Sequence, residues 1–184
     1  MKVLLLSTYD IHGGAAKAAY RLKDALYSFG LDSQMFVQVK YSDDLNVQAV
    51  SSVITRKFPK LKPHIDSLPK LLSLDFSTRN RSSFSLQWLP SKINDKISHL
   101  NPDIINLHWV SGGFLNIETI AKLRKPIVWT LHDMWAFTGG CHYSQGCKAY
   151  QTQCGNCPQM PPQYNIDLSN WVWHRKAKAW QNLT

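Results

Sequence analysis

Residues 2–30, KVLLLSTYDIHGGAAKAAYRLKDALYSFG, decide the fold reading. Lys2–Ser7 is a short apolar run closed by a turn signal, the pattern of a strand buried on both faces. Ala15–Phe29 reads as a helix, with Ala15, Ala18, Ala19, Leu22, Leu26 and Phe29 recurring at three- and four-residue steps. Gly30 stops it where a left-handed residue is commonly needed. Gly13 and Gly14 stand between strand and helix. A helix N-terminus carries partial positive charge and unpaired N–H groups, so it suits a phosphate or carboxylate, and glycines let such a ligand reach the backbone. Lys17 and Arg21 share a helix face and would support an anion, Arg21 from a turn further away. The plain alternative is a tight turn with no ligand. The motif is not G-x-G-x-x-G, and Gln38, Val39 and Lys40 offer no ribose-binding acid after the second strand. A nicotinamide or flavin dinucleotide is therefore disfavoured.

SQMFVQV (33–39) reads as a second strand and NVQAVSSVI (46–54) as a short third. Residues 55–90 are the least readable. Pro90–Leu100 reads as a helix, DIINLHWV (103–110) as a strand, Ser111–Gly113 as a turn and Asn116–Arg124 as a short helix. KPIVWTLHD (125–133) is another strand. An irregular Cys-, Gly- and Pro-rich insertion follows at about 134–165, and Leu168–Gln181 reads as a last helix. Strands alternating with helices predict an α/β domain, a Rossmann-like doubly wound parallel sheet with helices on both faces.

In such sheets ligands bind beyond the carboxyl ends of the strands. Gly13 and Gly14 follow the first strand, His108 the fourth, and His132 and Asp133 the fifth. A neutral His132 can donate to a substrate hydroxyl, with Asp133 to orient it. The structural alternative for His108 and His132 is a strand-end histidine satisfied by backbone. Trp135, Tyr143 and Tyr150 are candidate stacking platforms, while Trp109, Trp171, Trp173 and Trp180 are read as packing residues. No G-x-S-x-G signature or paired-carboxylate site is present, so neither a serine hydrolase nor a glycosidase is indicated.

The chain has 184 residues and a formal charge of +9, enough for one domain with a substantial core and a bias toward anionic partners. RKFPKLKPHIDSLPK (56–70) interleaves basic and apolar residues and could lie against an anionic membrane surface, although Pro59, Pro63 and Pro69 forbid one long helix. No run of apolar residues is long enough to span a membrane, and the start is not a signal peptide. The expected location is cytoplasmic, at most peripheral to the inner membrane face.

All four cysteines, Cys141, Cys147, Cys154 and Cys157, fall in CHYSQGCKAYQTQCGNC. Disulfides are disfavoured in a reducing compartment, and a structural zinc ion is the expected occupant, with His142 as a substitute ligand. Disulfides, free thiols and an iron–sulfur cluster remain as alternatives. A Cys154/Cys157 redox pair would want a helix directly after it, and PQMPPQ is not one.

GGAAKAAYRL (13–22), LHW (107–109) and TLHDMWAFTGGCHYSQGCKAYQTQCGNCPQ (130–159) together resemble the N-terminal half of a GT-B-fold retaining glycosyltransferase, of the group that builds bacterial polysaccharides. The Cys-bearing stretch resembles one subgroup of it most closely. The resemblance implies an acceptor-side Rossmann-like domain over 1–184 that works with a C-terminal donor-binding domain. Reaction in the cleft between them would need no catalytic metal. It implies that Gly13 and Gly14 lie against the diphosphate of a nucleotide-sugar donor and that His132 touches the transferred sugar. The acceptor would be a sugar or lipid-linked sugar. The family's basic phosphate-binding pair and Glu-x7-Glu motif do not occur within 1–184, so these residues alone are expected to be inactive. A zinc-bearing nucleic-acid-binding or interaction module is the second reading. It is weakened because the basic residues lie far in sequence from the cysteines, and nucleic acid is not favoured as a partner. A nucleotide-dependent oxidoreductase comes third.

Overall fold

The computed structural model describes residues 1–50, 62, 64–66, 83–160, 168–181 and 183. Chain order is β1 (Lys2–Tyr9), α1 (Gly14–Ser28), β2 (Asp32–Val39), β3 (Val47–Ala49), α2 (Asn94–Leu100), β4 (Ile104–Leu107), α3 (Ile117–Ala121), β5 (Ile127–Trp129) and α4 (Leu168–Trp180). Short 3-10 turns lie at Trp135–Phe137 and Ala149–Gln151. The five strands form one parallel sheet in the order β3-β2-β1-β4-β5, with Leu5 between Met35 and Asn106. This is the expected α/β Rossmann-like architecture. The chain leaves β1 for β2 and β3 on one side, then returns across it to β4 and β5 on the other. That reversal beside β1 is where such sheets open a crevice.

Alternation along β1 builds two cores, because successive side chains point to opposite faces. Val3 and Leu5 pack with Ala19, Met35, Val37 and Val47 under α1. Leu4 and Leu6 join Phe36, Ile97, Ile105, Leu107, Ile120 and Trp135 in the larger core on the other face.

The structure corrects the reading of α1. The buried positions are Ala16, Ala19 and Lys23, while Ala18 is exposed and Phe29 is 84% exposed. Alanines at 15, 16, 18 and 19 offer two apolar stripes one residue apart, and packing on the sheet selects the second. That choice buries Lys23. Its ammonium is held by Asp24 at 2.8 Å and by Asp44, and sits 4.4 Å from the centre of the Tyr20 ring. A buried cation persists only with such partners.

The strand expected over 125–133 shrinks to three residues, and Val128 is 52% exposed. β5 is a sheet edge, so only one side of it pairs. The expected third strand is described only over Val47–Ala49, and its residues 51–54 lie outside the described residues. So does most of the basic segment 56–70.

α4 ties the irregular stretch to the sheet. Arg175 donates to both carboxylate oxygens of Glu118 at 2.9 and 2.7 Å and to the carbonyls of Leu86 and Gln87. Trp180 packs edge-on against Trp129 and Trp135 and donates to the Ile117 carbonyl at 3.0 Å. Trp171 does not serve as core packing. It is 42% exposed, with the Arg175 guanidinium over its ring. Among the described residues no helix is long and apolar enough to cross a membrane.

Candidate functional site

A cavity of about 530 Å³ lies beyond the carboxyl ends of β1, β4 and β5, lined among others by Gly13, Gly14, Trp109, His132, Asp133 and Tyr143. That size suits a small organic ligand. The turn into α1 forms one wall. Gly13, at φ +90° in the region that favours glycine, precedes the helix, and no side-chain cap hydrogen bond is made at this helix start among the described residues. Gly14, Ala15 and Ala16 line the same cavity. The positive end of a helix without acidic residues in its first turn therefore faces open space.

Asp10 fixes this wall. Its fully buried carboxylate accepts from the N–H groups of Ile11 at 2.9 Å, Tyr41 at 3.0 Å and Ser42 at 2.8 Å. Burial pushes its carboxyl up, but those N–H groups together with Ser42 hold it below the usual carboxylate range. The loop after β2 is thereby strapped to the loop after β1. Tyr9 stacks on Trp109 with ring centres 6.2 Å apart. Thr8 joins the ends of β1 and β4, its N–H donating to Trp109 and its hydroxyl to Ser111, each at 2.7 Å.

The opposite wall is built on two histidines. His108 Nδ1 lies 2.9 Å from His132 Nε2, with the rings stacked. His108 is buried, its Nε2 has no hydrogen-bond partner among the described residues, and burial together with the neighbouring His132 pushes it down to about 4. It is therefore neutral at pH 7. An unpartnered ring N–H costs more than an unpartnered lone pair. The proton then sits on His108 Nδ1 and is donated to His132 Nε2. Burial also lowers His132, with Asp133 opposing, so it too is neutral and carries its proton on Nδ1. That N–H remains to be offered to a ligand.

Asp133 lines the cavity, yet its oxygens are already engaged. They accept from Trp109 Nε1 at 2.9 Å, His142 Nδ1 at 2.6 Å and the Trp135 N–H at 2.8 Å. Burial raises the Asp133 carboxyl, and His142 together with the Trp135 N–H and Trp109 more than offsets it, leaving it below its ordinary value. His132 is oriented by His108. Ser85 Oγ lies 3.0 Å from His142 Nε2, which completes the spacing of a Ser–His–Asp relay. Ser85 and His142 are buried, and Ser85 lines none of the cavities described here. The relay is a buried tie within the core.

The structure thus gathers Gly13, Gly14, His132 and Asp133 around one cavity. His108 sits behind His132, and Lys17 is exposed on α1 without lining the cavity. Of the expected stacking platforms only Tyr143 faces this cavity. Trp135 is buried and donates to the Ser85 carbonyl, and Tyr150 lines a second cavity with the four cysteines. Among the described residues no group of three or more His, Cys, Asp or Glu side chains forms a ready-made metal cage. Sequence reasoning missed Asp10, Tyr9 and the cavity-lining face of Trp109. An acid at a strand end before a glycine turn was the available signal for Asp10.

The chain is 25% identical over its whole length to a protein of Escherichia coli (strain K12) described as "Putative colanic acid biosynthesis glycosyl transferase WcaC". It spans 46% of that relative's length. The likeness relates the chain to glycosyltransferases. No family model matches the chain, and no solved structure does.

Proposed function

We propose that residues 1–184 form the acceptor-side half of a retaining, nucleotide-sugar-dependent glycosyltransferase of GT-B architecture. It would act in bacterial polysaccharide or glycolipid assembly at the cytoplasmic side of the membrane. The observation that carries this reading is the single cavity bounded by the uncapped N-terminus of α1 and by His132. The likeness to a glycosyltransferase supports it over the full length of the chain.

In this reading Gly13, Gly14 and the first-turn N–H groups meet the donor diphosphate, where developing negative charge on the leaving group is stabilised. His132 donates from Nδ1 to a hydroxyl of the transferred sugar, and His108 fixes that tautomer. Asp133 holds the His132 loop in place through His142 and Trp109. Lys17 adds an outer positive charge to the anion. The sugar or lipid-linked acceptor enters past Tyr9, His12 and Tyr143, and the basic segment 56–70 meets the anionic headgroups around it. A donor-binding domain of the same polypeptide closes the cleft.

Sugar transfer from a panel of nucleotide sugars, with and without that domain, tests the reading. Turnover should require both halves and fall by at least about 10-fold in His132→Ala, the loss of about one good hydrogen bond to the transition state. Comparable turnover by residues 1–184 alone would refute the division of labour.

A further inference from the structure

The four cysteines line one small cavity that the sugar-site reading does not use. Cys141, Cys147, Cys154 and Cys157 line one cavity of about 20 Å³, walled also by Phe84, Gly139 and Tyr150. That is roughly the room taken by one ion or one water, and three or four hydrogen-bonding partners for a water are wanting among such walls. None of the four is disulfide-bonded.

Separate local devices bring the four together. Cys141 pairs as an isolated antiparallel bridge with Phe84. Cys147 follows the left-handed residues Gln145 and Gly146, and Cys157 follows left-handed Asn156. Cys154 Sγ accepts from the Gly139 N–H at 3.1 Å, and its carbonyl accepts from the Asn170 amide on α4 at 2.9 Å. The Gly139–Gly140 pair makes this approach possible. A Cβ at 139 would stand 2.7 Å from Cys154 Cβ and 2.3 Å from the Ser169 carbonyl oxygen, and one at 140 would stand 2.5 Å from the Phe84 ring. Nearby lies a buried lysine. Lys176 donates to the carbonyls of Trp135 and Thr138, and its Nζ sits 3.6 Å from the centre of the Trp135 ring.

We propose that Cys141, Cys147, Cys154 and Cys157 bind one structural zinc ion as a closed tetrathiolate site. The four thiols release their protons to solvent and the sulfurs draw in to about 2.3 Å from the metal. Zinc with four thiolates carries two net negative charges. The Gly139 N–H stabilises the Cys154 sulfur. An iron–sulfur cluster, with its own sulfides, needs more room than one ion. Four cysteines lining one cavity also suit a single shared ion better than two separate disulfides. The bound ion would rigidify residues 141–157, between His142 and Tyr143 on one side and the contacts to α4 on the other.

The test uses the purified chain, prepared with reductant and without chelator. Elemental analysis should find zinc at one per chain. The thiols should resist an aromatic disulfide reagent until a mercurial or strong chelator frees the metal, with zinc released in step. Cobalt substitution of the same wild-type chain should give intense thiolate-to-metal charge-transfer absorption, so the result does not depend on a Cys→Ser variant folding. Four thiols that titrate at once with no metal present, two intact disulfides, or stoichiometric iron with sulfide would each overturn the proposal.

Discussion

His108 Nδ1 and His132 Nε2 meet at 2.9 Å, across the carboxyl ends of two neighbouring strands. The contact requires at least one neutral ring, and burial makes His108 that ring. Its pKa falls from 6.5 to about 4 on folding. The unfolded chain therefore binds more protons in this window, so the contribution is full above pH 6.5 and is lost as pH falls toward 4. The loss reaches about 2 kcal/mol at pH 5. Asp66, raised to about 6 by burial, works in the opposite direction. Denaturant unfolding at pH 7 and pH 5 should show wild type losing about 2 kcal/mol more than His108→Asn. An equal loss in both would mean that His108 does not titrate as its burial demands.

The two glycines before α1 should separate fold from ligand. A Cβ at Gly14 meets nothing within 4 Å and the backbone there is helical, so Gly14→Ala should hold or gain stability by up to about 1 kcal/mol while placing a methyl group in the cavity. Gly13 has φ +90° and ψ 166°, a backbone region essentially confined to glycine, so Gly13→Ala should cost about 1–3 kcal/mol. Thermal melts and ligand titrations on both variants check this. Weakened binding in Gly14→Ala with an unchanged melt is the expected signature.

Asp133 accepts three hydrogen bonds in a half-buried position, one from His142 at 2.6 Å. Asp133→Asn should therefore destabilise the domain by about 1–3 kcal/mol, since an amide NH2 meets donors. A variant that lost transfer activity at unchanged stability would instead put Asp133 in direct contact with substrate.

Gly139 and Gly146 make a further contrast. Gly139→Ala drives a Cβ into the Ser169 carbonyl and Cys154, an overpacking that should cost about 3 kcal/mol or more. Gly146→Ala meets nothing within 4 Å and should cost only the strain of φ +86°, about 1 kcal/mol. Chemical denaturation of the two variants measures the difference.

The parallel sheet was legible because apolar runs such as VLLL and IINL alternate with helical spacing. The site edge was legible because glycines and histidines stand where those runs end. The face of α1 was not, because closely spaced alanines serve two stripes equally and tertiary packing chooses. The edge position of β5 was also hidden, since a run such as PIVW reads the same at the centre of a sheet and at its rim. The partners of Asp133 were beyond reach. Trp109 and His142 arrive from 24 and 9 residues away in the chain, and no local spacing encodes that meeting.

The most direct test is an amide and histidine NMR titration of the chain with nucleotide sugars at millimolar concentration. Saturable shifts are expected at Gly13, Gly14, Trp109 and the His132 ring, lost in His132→Ala. Shifts confined to other surfaces, or none at all, would contradict the claim that a sugar phosphate rests between α1 and His132.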